Sequence, residues 1–259
     1  MAFSNSQFCT KPSHRGLHVK SDKGPLVVPY LDAQLRLYEY LLHQWYLVFA
    51  YRFDLHFPAD SYGWGSDVIT SFNASLHSKI KHRANMFGCG HMDIGPRFIW
   101  AKENKNSVND HYHYCTLIDG NFISKSGTFN AESWTLKKSI VESWAKALGI
   151  SVKEAEPLVQ HGENGDYLVE LESSDFLQQL TNLFYRTSYF AKLDTKRYGD
   201  GSRNHRCSCV PLGFDDFNLD EYVIFHKREI HGILEDQFLY SSEHSEFSHM
   251  QNKNVSPLW

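Results

Sequence analysis

The stretch Asn109-Asp110-His111-Tyr112-His113-Tyr114-Cys115-Thr116-Leu117-Ile118, read with Arg97-Phe98-Ile99-Trp100-Ala101-Lys102-Glu103 just upstream, decides how this chain folds. Both runs are rich in β-branched and aromatic residues, and the polar stretch from Asn104 to Asp110 suits a connecting loop, so together they predict an antiparallel hairpin. Alternation along a strand then puts His111 and His113 on one face. If Glu103 pairs across from His111, Ala101 pairs across from His113, and a carboxylate, two imidazoles and a small side chain share that face. Such a donor set suits Mn²⁺, Zn²⁺ or Mg²⁺, and three protein ligands leave coordination positions open for water or a phosphate oxygen. Taken alone, a His-x-His in a chain of fifteen histidines is equally the pattern of surface or hydrogen-bonded strand histidines.

A second motif lies in Asp175 to Lys192, where apolar residues at helical spacing follow an Asp, predicting an amphipathic helix. On it Tyr185, Tyr189, Lys192 and Lys196 fall at i, i+4, i+7 and i+11, so two phenols and two ammonium groups line one stripe. A phenol is a poor nucleophile at neutral pH and needs a nearby cation or a metal-polarised phosphate to react. Read by themselves, the two tyrosines are equally packing residues with wet hydroxyls.

The combination is more informative than either part. A strand His-x-His followed by a helical Tyr-x-x-Lys resembles the HUH endonuclease superfamily, with His111-Tyr112-His113 as the metal motif, Glu103 as third ligand and Tyr189-Phe190-Ala191-Lys192 as the nucleophile motif. More narrowly the chain resembles the filamentous-phage (inovirus) gene-two-product family, also met as the YagK/YfjJ C-terminal domain family of prophage regions. Arg52-Phe53-Asp54-Leu55-His56-Phe57-Pro58 and Tyr185-Arg186-Thr187-Ser188 extend the resemblance across most of residues 30–210. Some initiators of this superfamily place a second tyrosine directly after the lysine, and here that position is Leu193.

The resemblance implies a replication-initiator type of enzyme that nicks and rejoins single-stranded DNA at one site on one strand, starting rolling-circle replication of a phage or mobile element. It implies Tyr189 as nucleophile forming a 5′-phosphotyrosine link, Lys192 stabilising the phenolate or phosphate, and Mg²⁺ or Mn²⁺ held by His111, His113 and Glu103. Arg52, Asp54 and His56 would flank the metal strand, Asp54 and His56 as support. Two other classes stay open: a catalytically idle relative acting as a DNA-binding regulator or replication accessory protein, and a zinc hydrolase acting on a small substrate.

A net charge of −4 is unfavourable for sequence-independent DNA affinity, but positive charge is concentrated locally. Arg186, Lys192, Lys196, Arg197, Arg203 and Arg206 face only Asp194 and Asp200 in their stretch, and Lys79-Ile80-Lys81-His82-Arg83 closes another predicted helix. Cations interleaved with Tyr185, Tyr189, Phe190 and Tyr198 suit single-stranded DNA, whose bases stack on aromatics while its phosphates meet the cations. We therefore expect Tyr185, Arg186, Lys196, Arg197, Arg203, Arg206 and Arg52 to contact single-stranded or origin DNA. There is no Gly-x-x-x-x-Gly-Lys-Ser/Thr loop and no helicase motif, so a replication role would draw on a host helicase and polymerase.

With 259 residues, 42% of them hydrophobic, the chain can bury a large core, and no linker divides it. We expect a loose, polar arm over residues 1–28, one nicking domain over 29–238 and a flexible tail over 239–259. No run is apolar enough for a membrane span or signal peptide, and five cysteines are few and odd in number for a disulfide scaffold, which fits the cytoplasm of a bacterial host. Cys207-Ser208-Cys209 and Cys89-Gly90-His91 lack zinc-knuckle spacing and read as ordinary thiols. Predicted helices at 31–43, 68–84, 131–148 and 175–192 alternate with strands at 46–57 and 167–171. That is an α+β layout, a central antiparallel sheet with helices on one side, as HUH-like domains have.

Overall fold

Leu47–His56 alternates bulky apolar residues on one face with Val48, Ala50, Arg52 and Asp54 on the other, and it forms the hub of the sheet in a computed structural model of the chain. The structure describes residues 7–59, 67–90, 93, 95–103, 110–125, 127, 134–193, 203–214 and 218–227. In chain order the elements are β1 (Phe8–Cys9), β2 (Ser13–His14), β3 (Leu17–His18), β4 (Leu26–Val27), α1 (Val28–Trp45), β5 (Leu47–His56), α2 (Asp67–Met86), β6 (Arg97–Glu103), β7 (His111–Asp119), α3 (Leu136–Leu148), α4 (Val152–Ala155), β8 (Val159–Glu170), α5 (Phe176–Ser188) and β9 (His205–Cys207). Five strands form one sheet in the order β8-β5-β7-β6-β9, every neighbouring pair antiparallel. The fold is α+β.

The register of β6 against β7 puts Glu103 opposite His111 and Ala101 opposite His113, the pairing that alternation predicted. On the other flank of β7, Asp54 lies opposite His113 and His56 opposite His111. The other face of these strands carries Phe49, Tyr51, Phe53, Leu55, Trp100, Tyr112 and Tyr114, buried against Phe72 and Ile80 of α2 and Trp144 of α3 in the main core. Thr135 caps α3 by accepting a hydrogen bond from the Lys138 N–H at 3.2 Å, and Gly149, in the left-handed region, ends it.

Helices cover both faces of the sheet, where one covered face was expected. Tyr38 and Leu42 of α1 and Leu180 and Leu183 of α5 pack around Val48 and Val169 on the face that carries the histidines. The reason is α1 itself, whose buried residues Leu31, Leu35, Leu37, Tyr38, Leu41, Leu42 and Trp45 give it an apolar surface too wide for one neighbour.

The segment expected as a loose arm is structured from its seventh residue onward. Strands β1 and β4 pair, β2 and β3 pair, and Leu17, Val19, Leu26 and Val27 are buried. Short two-residue strands interrupted by charged residues carry too little periodicity to be read as structure. Strand β8 runs twelve residues where only 167–171 was expected, because the bulge at Gly162 to Gly165 breaks its alternation. Strand β9 was not foreseen at all. Residues 218–227 belong to a separate unit spanning 218–259, in which 219–227 are helical and Asn218 Oδ1 accepts from the Asp220 and Glu221 N–H groups. The expected tail at 239–259 lies outside the described residues.

Candidate active site

Where β6 ends and β7 begins the predicted triad forms: one ligand atom each from Glu103, His111 and His113 lie within 4.8 Å of one another. Each side chain is fixed by strand pairing rather than by a loop. His113 is 9% exposed, and its Nδ1 is 2.6 Å from Asp54 Oδ1 while its Nε2 is 3.1 Å from Glu103 Oε2. Asp54 in turn receives Arg52 Nη1 on Oδ2 and Arg52 Nη2 on Oδ1, each at 2.9 Å. This is the arrangement that orients a metal-ligating imidazole: a carboxylate holds one ring nitrogen, which leaves the other for the ion.

Charge states follow from these contacts. Burial opposes the protonated His113 ring, but the hydrogen bonds it donates to Asp54 and Glu103 and their negative charges outweigh it, and its pKa rises. Burial also opposes ionised Asp54, and the His113 and Arg52 contacts reverse the effect, so its carboxyl stays below the usual range. His111 is driven down, first by burial and then by the neighbouring His113 and His56. His111 is thus held neutral, as a ligand must be. His56 stacks on His111 with ring centroids 5.2 Å apart and planes 7° from parallel, and its Nε2 is buried without a hydrogen-bond partner among the described residues. Two imidazoles and a carboxylate from adjacent strands, with the second nitrogen of His113 already engaged, fit a divalent ion.

Tyr189 stands directly over this cluster. Its ring centroid is 5.4 Å from that of His113, edge to face, and Phe190 lies parallel to the same imidazole at 6.1 Å. The tyrosine is not on α5 proper. The helix ends at Ser188 and Tyr189–Ala191 form a 3₁₀ turn, so the expected straight stripe from Tyr185 to Lys196 does not continue through it. Lys192 Nζ is 5.7 Å from the Tyr189 ring centroid. Burial raises the Tyr189 pKa, with Glu103 adding to it, which keeps the phenol protonated in the free protein.

The N-terminal segment sets this turn. The Lys20 N–H donates to Ser188 Oγ at 2.9 Å, the Leu193 N–H donates to the Pro25 carbonyl at 3.0 Å, and Leu26 bridges to Lys192. From α1, the Tyr38 and Thr187 hydroxyls lie 2.7 Å apart.

Other predicted residues fall into three groups. Arg52, expected on DNA, is instead committed to Asp54 beneath the centre. Arg203 and Arg206 are exposed, Arg206 on edge strand β9 opposite Trp100 of β6. Tyr185 is 39% exposed, one turn before Tyr189, and Arg186 is half-buried beside it. Lys196 and Arg197 lie outside the described residues. The basic run 79–83 is largely spent on structure: Lys79 pairs with Glu142 of α3 at 2.6 Å, Ile80 is core, and Arg83 lies over Phe87 and Trp134. Phe190, read from sequence as a base-stacking aromatic, packs on His113 instead, and one neighbour of the centre, His205, escaped sequence reasoning. His205 pairs across from Ala101, stacks on Tyr30 at 4.3 Å and lies 3.3 Å from Gln34. All cysteines are free, and burial pushes the Cys115 thiol up to about 12.

The fold and site define an α+β domain whose central antiparallel sheet carries a histidine–carboxylate centre beneath a tyrosine. Residues 9–208 match the YagK/YfjJ C-terminal domain, and the chain belongs to that family. It is 30% identical to the uncharacterized protein YfjJ of Escherichia coli (strain K12) over 173 residues, covering 61% of this chain and 82% of YfjJ. It is 28% identical to the uncharacterized protein YagK of the same organism over 218 residues, covering 77% of this chain and 99% of YagK. No solved structure matches it. No described helix is long and apolar enough to cross a membrane.

Proposed function

We propose that this protein is an HUH-type nicking and joining enzyme, acting at one site on one strand of single-stranded DNA to initiate rolling-circle-type replication of a phage or mobile element. The observation that carries the reading is the packing of Tyr189 on His113, a phenol in contact with an imidazole that shares its cluster with Glu103 and His111. Glu103, His111 and His113 would hold Mg²⁺ or Mn²⁺. When bound, such an ion polarises a scissile phosphate and offsets the charge that develops on it.

Tyr189 Oη attacks phosphorus in line, the P–O3′ bond breaks, and the departing 3′ oxygen takes up a proton to become a free hydroxyl. The phenol loses its proton in the same step, and the Lys192 ammonium beside the ring favours the developing phenolate. The product is a 5′-phosphotyrosine and a 3′-hydroxyl for a host polymerase. Reversal rejoins the ends, so no nucleotide cofactor is consumed. Asp54, locked by Arg52, holds the His113 ring in place throughout.

The test is to incubate purified protein with Mn²⁺ and a random single-stranded DNA pool and to run a denaturing gel. A covalent band is expected from the natural sequence and is lost in Tyr189→Phe and in the double variant His111→Ala/His113→Ala, while Tyr189→Phe retains Mn²⁺ binding. No band from the natural sequence, with Mn²⁺ and DNA both bound, would overturn the enzyme reading in favour of a DNA-binding regulator. A reaction untouched by Tyr189→Phe would point to a metal hydrolase.

A further inference from the structure

A cleft of about 450 Å³ opens between β8 and α5, lined by Lys20, Asn164, Tyr167, Asn182, Tyr185 and Arg186 among others. Three features give it a chemistry. Tyr185 presents a partly exposed ring with Lys20 Nζ 5.3 Å from its centroid. Arg186 has no carboxylate or hydrogen-bond partner among the described residues, and its Nε is buried and unsatisfied. Asn182 accepts from Gln178 through Oδ1 at 2.8 Å, which turns its amide donors to other use.

The cleft adjoins the centre already described. At Gly162, in the bulge of β8, an added Cβ would stand 3.4 Å from Arg186 Nη2 and 3.5 Å from Arg52 Nη1, so the two guanidinium groups flank one backbone position. Arg52 faces the His113 side and is neutralised by Asp54, whereas Arg186 faces the cleft with its charge unspent. Along the chain, Tyr185 and Arg186 precede Tyr189 by about one helical turn.

We propose that this cleft binds one nucleotide of single-stranded DNA adjoining the scissile position, its base stacked on Tyr185 and its phosphate on Arg186. The proposal rests on the nicking function above for its position, and on the cleft alone for its ligand. An aromatic face beside a cation takes any base, a planar guanidinium takes a phosphate in two hydrogen bonds, and the Asn182 amide meets a base edge. That edge contact makes the cleft a source of sequence preference at the bound position.

The test uses the full chain carrying Tyr189→Phe, which removes covalent chemistry, and a fluorescein-labelled random twelve-mer of single-stranded DNA followed by anisotropy across a salt series. Tyr185→Ala is expected to weaken binding about tenfold while Tyr185→Phe does not. Arg186→Gln is expected to weaken it about tenfold and to lower the salt slope by about 0.7. Lys153→Gln, on exposed α4, leaves both unchanged. Unaltered affinity and slope in Tyr185→Ala and Arg186→Gln would overturn the cleft assignment even if the natural sequence forms its covalent adduct. Weakened binding by these variants alongside no adduct would leave the cleft in place and remove the nicking reaction instead. Displacement of the oligonucleotide by a mixture of the four deoxynucleoside monophosphates at equal nucleotide concentration would overturn the assignment to DNA.

Discussion

Asp54 illustrates how much of this site is decided by single atoms. Its two oxygens divide between His113 and Arg52, so the residue sets the tautomer of the imidazole and at the same time cancels a guanidinium beneath the centre. Replacing it by Asn keeps the volume and removes the charge. Asp54→Asn is therefore expected to reduce Mn²⁺ affinity by about 10–100-fold in a calorimetric titration, and unchanged affinity would detach the carboxylate from the metal site. Gly165 is constrained differently. A Cβ there would stand 2.7 Å from the Arg52 carbonyl oxygen and 2.9 Å from the Tyr51 ring, backbone and buried ring that have no room to retreat. Gly165→Ala should cost about 1–3 kcal/mol in urea unfolding, with β5 and β8 pushed apart beside Arg52.

At the level of elements, the site depends on how α3, α5 and the N-terminal strands hold the sheet. Trp144 of α3 is fully buried against Phe57 and Phe72 and donates its Nε1–H to the His56 carbonyl at 2.9 Å. It thereby anchors the end of β5 from the face opposite the histidines. Trp144→Ala leaves a cavity and an unpaired carbonyl, and is expected to cost about 3–5 kcal/mol by urea unfolding. On the histidine face, β4 and the residues around it hold the 3₁₀ turn by backbone hydrogen bonds, so Tyr189 is placed by tertiary contacts rather than by continuation of α5.

For the molecule as a whole, His161 provides a stability switch away from the centre. Burial and the nearby Lys137 push its pKa from 6.5 down to about 4, and its Nδ1 lies 2.7 Å from the Tyr51 hydroxyl. Because the folded protein disfavours the protonated ring, the unfolded chain takes up the proton first as pH falls. The contribution is complete above pH 6.5 and is lost progressively as pH falls towards 4. Thermal melts should show Tm falling across that window, and His161→Gln should flatten this part of the profile. A Tm unchanged between the two proteins at every pH would remove His161 from the account. The net charge of −4 is compatible with a nucleic-acid partner only through local fields, and the structure narrows those fields. Lys79 and Arg52 are neutralised by Glu142 and Asp54, whereas Lys81, Arg186, Arg203 and Arg206 have no carboxylate partner among the described residues.

What the sequence determined by itself was the local pairing around the centre. Alternation along two adjacent strands is a short-range rule, and it sufficed to place Glu103, His111, His113 and Ala101 opposite one another in the register observed. Helix periodicity likewise marked α1, α2, α3 and α5, with the ends displaced by a few residues. The tertiary structure alone decided the rest. Leu17 to Val27 has no periodicity of its own and is held by pairing with β1 and β2 and by the contacts of Lys20, Pro25 and Leu26 with Ser188, Leu193 and Lys192. Arg52 reads as a free cation until strand pairing brings His113 within 3.0 Å of it and locks Asp54, two residues along the same strand, between them. His205 belongs to a strand of three residues, too short to declare itself before a sheet edge is present to receive it. Long-range contacts of this kind have no signature in a local window, because the energy that orders each partner comes from the other.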